Sequence, residues 1–261
     1  MSPEAAAACD DAPAARVAGA SYVRGGYRSF EFADVSARAG ELTVLLSGER
    51  AVARDLLLAV AGAVRPTSGS LAVGDASFAA STGSGAGALR SAAAWGGFQC
   101  RLHAARAVGL GAFTGLAEVD AALTVEETVA CELARRRDSR AGTPDPLDYL
   151  AMLGLATYAD QRIERLHPDA RVRLFAALAL APAPRVAVID LRDPFCMGLT
   201  ADEEQAVVCE LRDIARATGT AVMVSCAEAS SSAVADAVFA LDIAASESLA
   251  AVQAVSEGVD A

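Results

Sequence analysis

The sequence predicts an α/β protein built on a buried parallel sheet. Two runs carry that prediction: Leu42-Thr43-Val44-Leu45-Leu46 and Val186-Ala187-Val188-Ile189-Asp190 are compact apolar strands of the kind that parallel sheets bury on both faces. The third observation is the alternation of helical and strand-like segments from Asp169 to Asp242. With 261 residues, 54% of them hydrophobic, the chain can bury a full core as one large domain or as one domain with a small lobe.

In chain order, residues 17–46 read as short strands separated by turn signals at Tyr22-Val23-Arg24-Gly25-Gly26-Tyr27 and Ala39-Gly40-Glu41. A helix follows from about Leu56 to Ala63, closed by Gly62 and Pro66, and residues 67–73 read as a turn into another strand. Residues 81–87 (Ser-Thr-Gly-Ser-Gly-Ala-Gly) read as a flexible loop; its glycines are not framed by a strand before and a helix after, as a phosphate cradle would be. Trp95 and Phe98, close to that loop, read as small-lobe core, and residues 107–113 as a strand.

Thr124 and Glu127 have the spacing of a capping box that opens a helix. Composition from about 130 to 161 is helical, interrupted by Gly142-Thr143-Pro144-Asp145-Pro146, and predicts a helical subdomain. A helix over 169–180, a strand over 185–190, a helix over 201–217, a strand over 220–225, a helix over 231–236 and a strand over 237–242 complete the pattern. The expected organisation is one domain over 14–245 with a helical subdomain at about 124–168, flanked by flexible acidic tails at 1–13 and 246–261.

The formal charge of −11 argues against a nucleic-acid-binding surface, which needs a basic stripe. The run Arg135-Arg136-Arg137 reads as the solvated C-terminal end of a helix, where cations suit the dipole. Apolar runs such as 174–184 are far shorter than the roughly 20 residues that span a bilayer. The first residues lack the cationic start of a secretory signal, so the expected location is cytoplasmic. Six cysteines without C-x-x-C spacing and only two histidines, His103 and His167, point to reduced thiols rather than a metal site.

The informative stretch is Leu45 to Leu56, which lies where a strand-to-helix phosphate loop belongs. A phosphate loop reads G-x-x-x-x-G-K-[ST]: glycine N–H groups wrap the phosphates, the lysine reaches the terminal oxygens and the hydroxyl holds Mg²⁺. The ungapped reading puts Ser47, Val52, Ala53 and Arg54 at the four defining positions, none of them the required type. Sliding by one residue puts Gly48, Ala53, Arg54 and Asp55 there, which restores one glycine and a cation but neither the second glycine nor a hydroxyl.

The order of elements and several local sequences resemble the ATP-binding cassette (ABC) family of ATPases. The resemblance covers about 17–242 and rests on Gly40-Glu41-Leu42-Thr43-Val44-Leu45-Leu46, on residues 57–71 (LLAVAGAVRPTSGSL), on Leu123-Thr124-Val125-Glu126-Glu127 and on the strand that ends at Asp190. It implies a P-loop NTPase-like fold with an N-terminal antiparallel β lobe and a helical subdomain. It also implies ATP and Mg²⁺ as ligands, a membrane permease or a second ABC ATPase subunit as partner, and a place at the inner face of the cell membrane.

Carried over position by position, the family's catalytic residues are missing. No glutamine lies between Gly109 and Asp120, where the Q-loop glutamine belongs, and Leu166-His167-Pro168-Asp169-Ala170 keeps only the leucine of the signature LSGGQ. Asp190 holds the Walker B position and is the one candidate Mg²⁺ ligand, but Leu191 replaces the glutamate that polarises water, unless Asp193 reaches the site. Gly198-Leu199-Thr200 resembles the D-loop, and Ala227 stands where the switch histidine aligns.

Tyr22, with Tyr27 as competitor, is the candidate adenine-stacking aromatic, and the nucleotide-site positions are Ser47, Gly48, Arg50, Ala53, Arg54, Asp55 and Asp190. Arg54 either points into the phosphate site, pairing with Asp190, or is a solvated helix-start arginine, while His167 reads as an exposed loop histidine rather than a proton carrier. Single catalytic groups supply about 10²–10⁴-fold in rate, so the simultaneous loss predicts a pseudo-ATPase: an ATP-binding-type subunit that acts as binding or regulatory partner and is monomeric alone. The alternative is a working subunit in which Arg54 or Arg50 replaces the lysine and a heteromeric partner completes the site.

Overall fold

The computed structural model describes residues 12–80, 86–111, 113–135, 144–181, 183–226 and 229–242. Strand β1 (Ala15–Arg24) returns as β2 (Tyr27–Ala37) through Gly25 and Gly26, at φ 58° and 82°. A tight two-residue hairpin needs that left-handed backbone, which glycine adopts without steric cost. With β4 (Ser68–Val73) and β5 (Ala76–Ala79) these strands form an antiparallel sheet in the order β2-β1-β4-β5.

The second sheet holds β3 (Leu42–Leu46), β6 (Val108–Leu110), β7 (Val186–Asp190), β8 (Ala221–Cys226) and β9 (Ala237–Ala240). Its order is β6-β7-β8-β3-β9, and every neighbouring pair is parallel. Six helices accompany the sheets among the described residues: α1 (Arg50–Val60), α2 (Ala86–Ala105), α3 (Val125–Arg135), α4 (Pro146–Met152), α5 (Pro168–Leu180) and α6 (Ala201–Thr218).

Alternation along the strands builds two cores. Leu42, Val44 and Leu46 of β3 face the cluster made with α3 to α6, whereas Leu45 faces the one made with α1, α2 and the antiparallel sheet. This double burial is why β3, β7 and β8 read as apolar runs rather than as alternating ones. Gly109 of β6 lets α5 approach closely, since a Cβ there would collide with the carbonyl of Ala179.

Five elements differ from the sequence reading, one of them β5 (Ala76–Ala79), which the sequence reading did not contain. Helix α1 starts at Arg50 rather than near Leu56, because Arg50-Ala51-Val52-Ala53 has no glycine to hold an open loop and propagates helix instead. Residues 81–85 of the predicted loop lie outside the described residues, but Ala86 and Gly87 open α2, a 20-residue helix that the glycines at 87, 96 and 97 concealed. It is held by aromatic packing, with Phe78 and Trp95 edge to face at 4.9 Å and Trp95 stacked on Phe98 at 5.2 Å. The helix predicted over 231–236 is a 3₁₀ turn, Ser230–Val234, and the strand expected over 107–113 spans only Val108–Leu110.

The capping box at Thr124 and Glu127 forms: Glu127 N–H donates to Thr124 Oγ1 at 3.1 Å, and Thr124 N–H donates to Glu127 Oε2 at 2.8 Å. Helix α3 ends at Arg135, whose guanidinium lies 3.1 Å from Glu132; Arg136 and Arg137 are outside the described residues.

Candidate functional site

The carboxyl ends of β3, β7 and β8 come together at one edge of the parallel sheet, where the register sets Leu46 beside Cys226 and Asp190 beside Ser225. Open α/β sheets bind ligands in this crevice. Here side chains of the protein pair with one another across it.

Arg50 and Arg54 are one helical turn apart on α1 and therefore project from the same face. Both reach Asp193, just beyond β7: Arg50 Nη2 lies 3.2 Å and Arg54 Nη1 lies 3.1 Å from Asp193 Oδ2. The same two nitrogens lie 3.8 Å from Asp190 Oδ2. Asp193 Oδ2 also accepts the Thr114 N–H at 2.9 Å, while Oδ1 accepts the Thr114 hydroxyl at 2.7 Å and the Phe195 N–H at 3.1 Å. Both carboxylates are fully buried, so each depends on these partners.

Asp190 Oδ1 accepts the Ser225 hydroxyl at 2.5 Å and the Arg192 N–H at 3.2 Å. Burial pushes the Asp190 carboxyl above the usual carboxylate range; Ser225, Arg50 and the Arg192 N–H oppose that rise, and the neighbouring Asp193 charge adds to it. Oδ2 accepts no hydrogen bond among the described residues.

The loop itself is also occupied. Asp242, just after β9, accepts the Ser47 hydroxyl at 2.6 Å and the Gly48 N–H at 2.8 Å, and the Glu49 N–H turns to Ser47 Oγ at 3.1 Å. Arg192 caps the loop from the other side, donating to the carbonyls of Ser47 at 2.6 Å and Gly48 at 3.2 Å. The Val52 N–H is spent on Glu49 O at 3.2 Å as the helix begins. The N–H groups of Gly48, Glu49 and Val52, three of the donors that a phosphate loop turns toward its ligand, are thus bonded internally.

Of the sequence-predicted positions, the structure brings Ser47, Gly48, Arg50, Arg54 and Asp190 together. Ala53 turns away into the core with Val52 and Leu56 and is fully buried, so the lysine position does not face the crevice. Asp55 is half-buried on α1 and takes no part in the bonds of this network. Tyr22 packs its ring 6.1 Å from Phe30, and Tyr27 sits half-exposed at the hairpin turn. His167 is the N-cap residue of α5, exposed, with Nδ1 2.7 Å from Asp169 and 3.8 Å from Glu203. Ala227 lies outside the described residues.

The sequence reading missed Thr114, Arg192, Ser225 and Asp242. Each follows or ends a strand of the parallel sheet on the same side, and a polar residue at that position is the signal that could have found them.

Mg²⁺ does not fit these side chains. Two guanidiniums face the one candidate metal ligand, Leu191 is buried in place of a glutamate, and the described residues hold no cluster of histidine, cysteine and acidic side chains suited to a metal.

No protein-family model and no curated protein matches the sequence. Solved structures do match by fold. One is cbiO1 from Clostridium perfringens, part of the ABC transporter complex cbiONQ, with a TM-score of 0.64 at 15% identity over 88% of this chain and 85% of that one. Another is a chain of an inward-facing ABC transporter assigned to the metal-chelate type, with a TM-score of 0.61 at 16% identity over 88% of this chain and 80% of that one. The antiparallel lobe, the parallel sheet and the helices that flank it together give this chain the fold of ABC transporter ATPase subunits.

Proposed function

We propose that this protein is an ABC-type nucleotide-binding subunit that has lost ATP turnover and works through its surfaces, as the partner of a membrane permease or of a competent ATPase subunit. The observation that carries the reading is the ion-paired network of Arg50 and Arg54 with Asp193 and Asp190, which lies where Mg²⁺ and the terminal phosphates would bind. Phosphoryl transfer relies on positioning and on charge stabilisation, and here Arg50 and Arg54 are paired with Asp193 and Asp190.

The network weighs against a working subunit completed by a partner. Arg50 and Arg54, the two candidate substitutes for the lysine, are both committed to Asp193. Asp193, the candidate substitute for the missing base, already accepts from Thr114, Phe195 and both arginines. A partner that supplies groups from outside leaves these internal bonds in place.

No described helix is long and apolar enough to cross a membrane, so contact with a permease would be peripheral, at the inner membrane face. A monomer is proposed for the isolated protein, because the positions that sandwich nucleotide between subunits in the resembling family are altered here. The test is Mg²⁺-dependent ATP hydrolysis by the purified protein. No turnover above a blank is expected; a rate abolished by Asp190→Ala would overturn the reading.

A further inference from the structure

Every polar backbone and side-chain group of Thr114 is bonded. Its N–H and hydroxyl donate to the two oxygens of Asp193 at 2.9 and 2.7 Å, and its carbonyl accepts from Arg54 Nη2 at 2.5 Å. Thr114 belongs to the segment 113–124, which leads from the parallel sheet into α3. Arg54 also lies over the buried Phe113 ring, 5.8 Å from its centroid.

The rest of the segment is tied down as well. Phe113 and Ala117 exchange backbone bonds at 2.9 and 2.8 Å, and the Gly115 N–H donates to Glu118 Oε1 at 2.8 Å. At the far end Ile163 N–H donates to Leu123 O at 3.1 Å, Glu164 N–H to Ala121 O at 3.1 Å, and Val125 N–H to Gln161 O at 3.0 Å. A hinge needs a few residues free to change φ and ψ. This link is held at both ends and closed on itself in between.

We propose that Thr114, Asp193 and Arg54 form a permanent clamp that fixes the helical layer of α3 and α4 on the parallel sheet, so that the surface of this layer keeps one position whatever the nucleotide supply. The clamp centres on a fully buried carboxylate that holds two guanidiniums and three hydrogen bonds from Thr114 and Phe195. Opening the link would leave that charge underpaired in a low-dielectric interior. The inference concerns motion rather than turnover and rests on the bonds of Thr114, not on the identity of any partner.

Amide hydrogen exchange of the full chain, followed by mass spectrometry with and without Mg-ATP, tests it. Peptides covering 113–124 are expected to be protected and unchanged by Mg-ATP. Thr114→Val, which keeps the shape and removes the hydroxyl, is expected to raise exchange there by about 10-fold while β3 and β8 stay as in the wild type. Thr114→Ser is expected to restore protection, and Arg54→Gln to reproduce the local loosening should the valine variant fail to fold.

Unchanged exchange at 113–124 in the loosened variants would overturn the clamp, as would a uniform rise that includes β8 or a rise in the wild type on adding Mg-ATP. Mg-ATP turnover abolished by Asp190→Ala while this segment stays unchanged would support the clamp and overturn the pseudo-ATPase reading alone.

Discussion

Arg54, at the position where a phosphate loop carries its Mg²⁺-binding hydroxyl, places Nη1 3.1 Å from Oδ2 of Asp193, three residues beyond the Walker B position. The pair joins α1 to the end of β7 across the crevice in which nucleotide would sit. It makes the site a structural junction, and that status has energetic consequences.

Removing one member of a buried ion pair leaves the other uncompensated and costs about 3–5 kcal/mol. Asp193 keeps Arg50 and Thr114 when Arg54 is lost, so Arg54→Met is expected near the lower end, about 3 kcal/mol, in urea denaturation. The double variant Arg54→Met with Asp193→Leu is expected to be less stable than Arg54→Met alone, because Arg50, the Thr114 N–H and hydroxyl and the Phe195 N–H then lose their acceptor. A single variant within about 0.5 kcal/mol of wild type would show that the pair carries no structural load.

Asp190 predicts a pH dependence of defined sign. Its carboxyl is raised by burial above the unfolded value of about 3.9, so the folded state takes up the proton more readily than the unfolded chain. The resulting penalty is absent below the unfolded value and grows as pH rises through the folded one. Asp190→Asn, which keeps an acceptor for Ser225, avoids the penalty, so its stability relative to wild type is expected to rise as pH increases above the unfolded value of about 3.9. A relative stability that falls over that range would mean that the arginines more than offset the burial.

Cysteine reactivity separates surface from core. Burial, reinforced by Asp193 and Asp190, pushes the Cys196 thiol far above its ordinary value, and burial with the Glu204 charge does the same for Cys226. Cys100 and Cys131 are exposed. Alkylation of the native protein followed by peptide mapping is expected to label Cys100 and Cys131 while sparing Cys196 and Cys226 until the chain unfolds. Native labelling of Cys196 would mean that the end of β7 opens readily.

Much of this molecule is legible in one dimension because its signals are local. The apolar runs at 42–46 and 186–190, the capping box at Thr124 and Glu127, and the helix over 169–180 each follow from neighbours in sequence. The degenerate loop is legible for the same reason. Helix α2 was hidden because its fixing contacts, Phe78 with Trp95 and Phe98, join residues far apart in sequence and its surface is broken by glycine.

The filling of the site lies beyond sequence for a related reason. Thr114 reaches Asp193, Ser225 reaches Asp190 and Asp242 reaches Ser47 only because parallel pairing aligns the carboxyl ends of the strands along one side of the sheet. The sequence left two positions open for the Arg54 side chain; the fold selects the inward one. Asp193 shows the limit most clearly: read as a possible base, it is the acceptor on which the network converges.

The most direct test of the central claim, that protein groups have replaced nucleotide in this crevice, is a thermal-shift titration with Mg-ATP. A ligand present at 100 times its dissociation constant stabilises a fold by about 2.7 kcal/mol, which is ample to move a melting curve. The internal network predicts a melting temperature that does not move across the titration. A saturable rise in melting temperature, lost in Asp190→Ala, would contradict it and return nucleotide to the site.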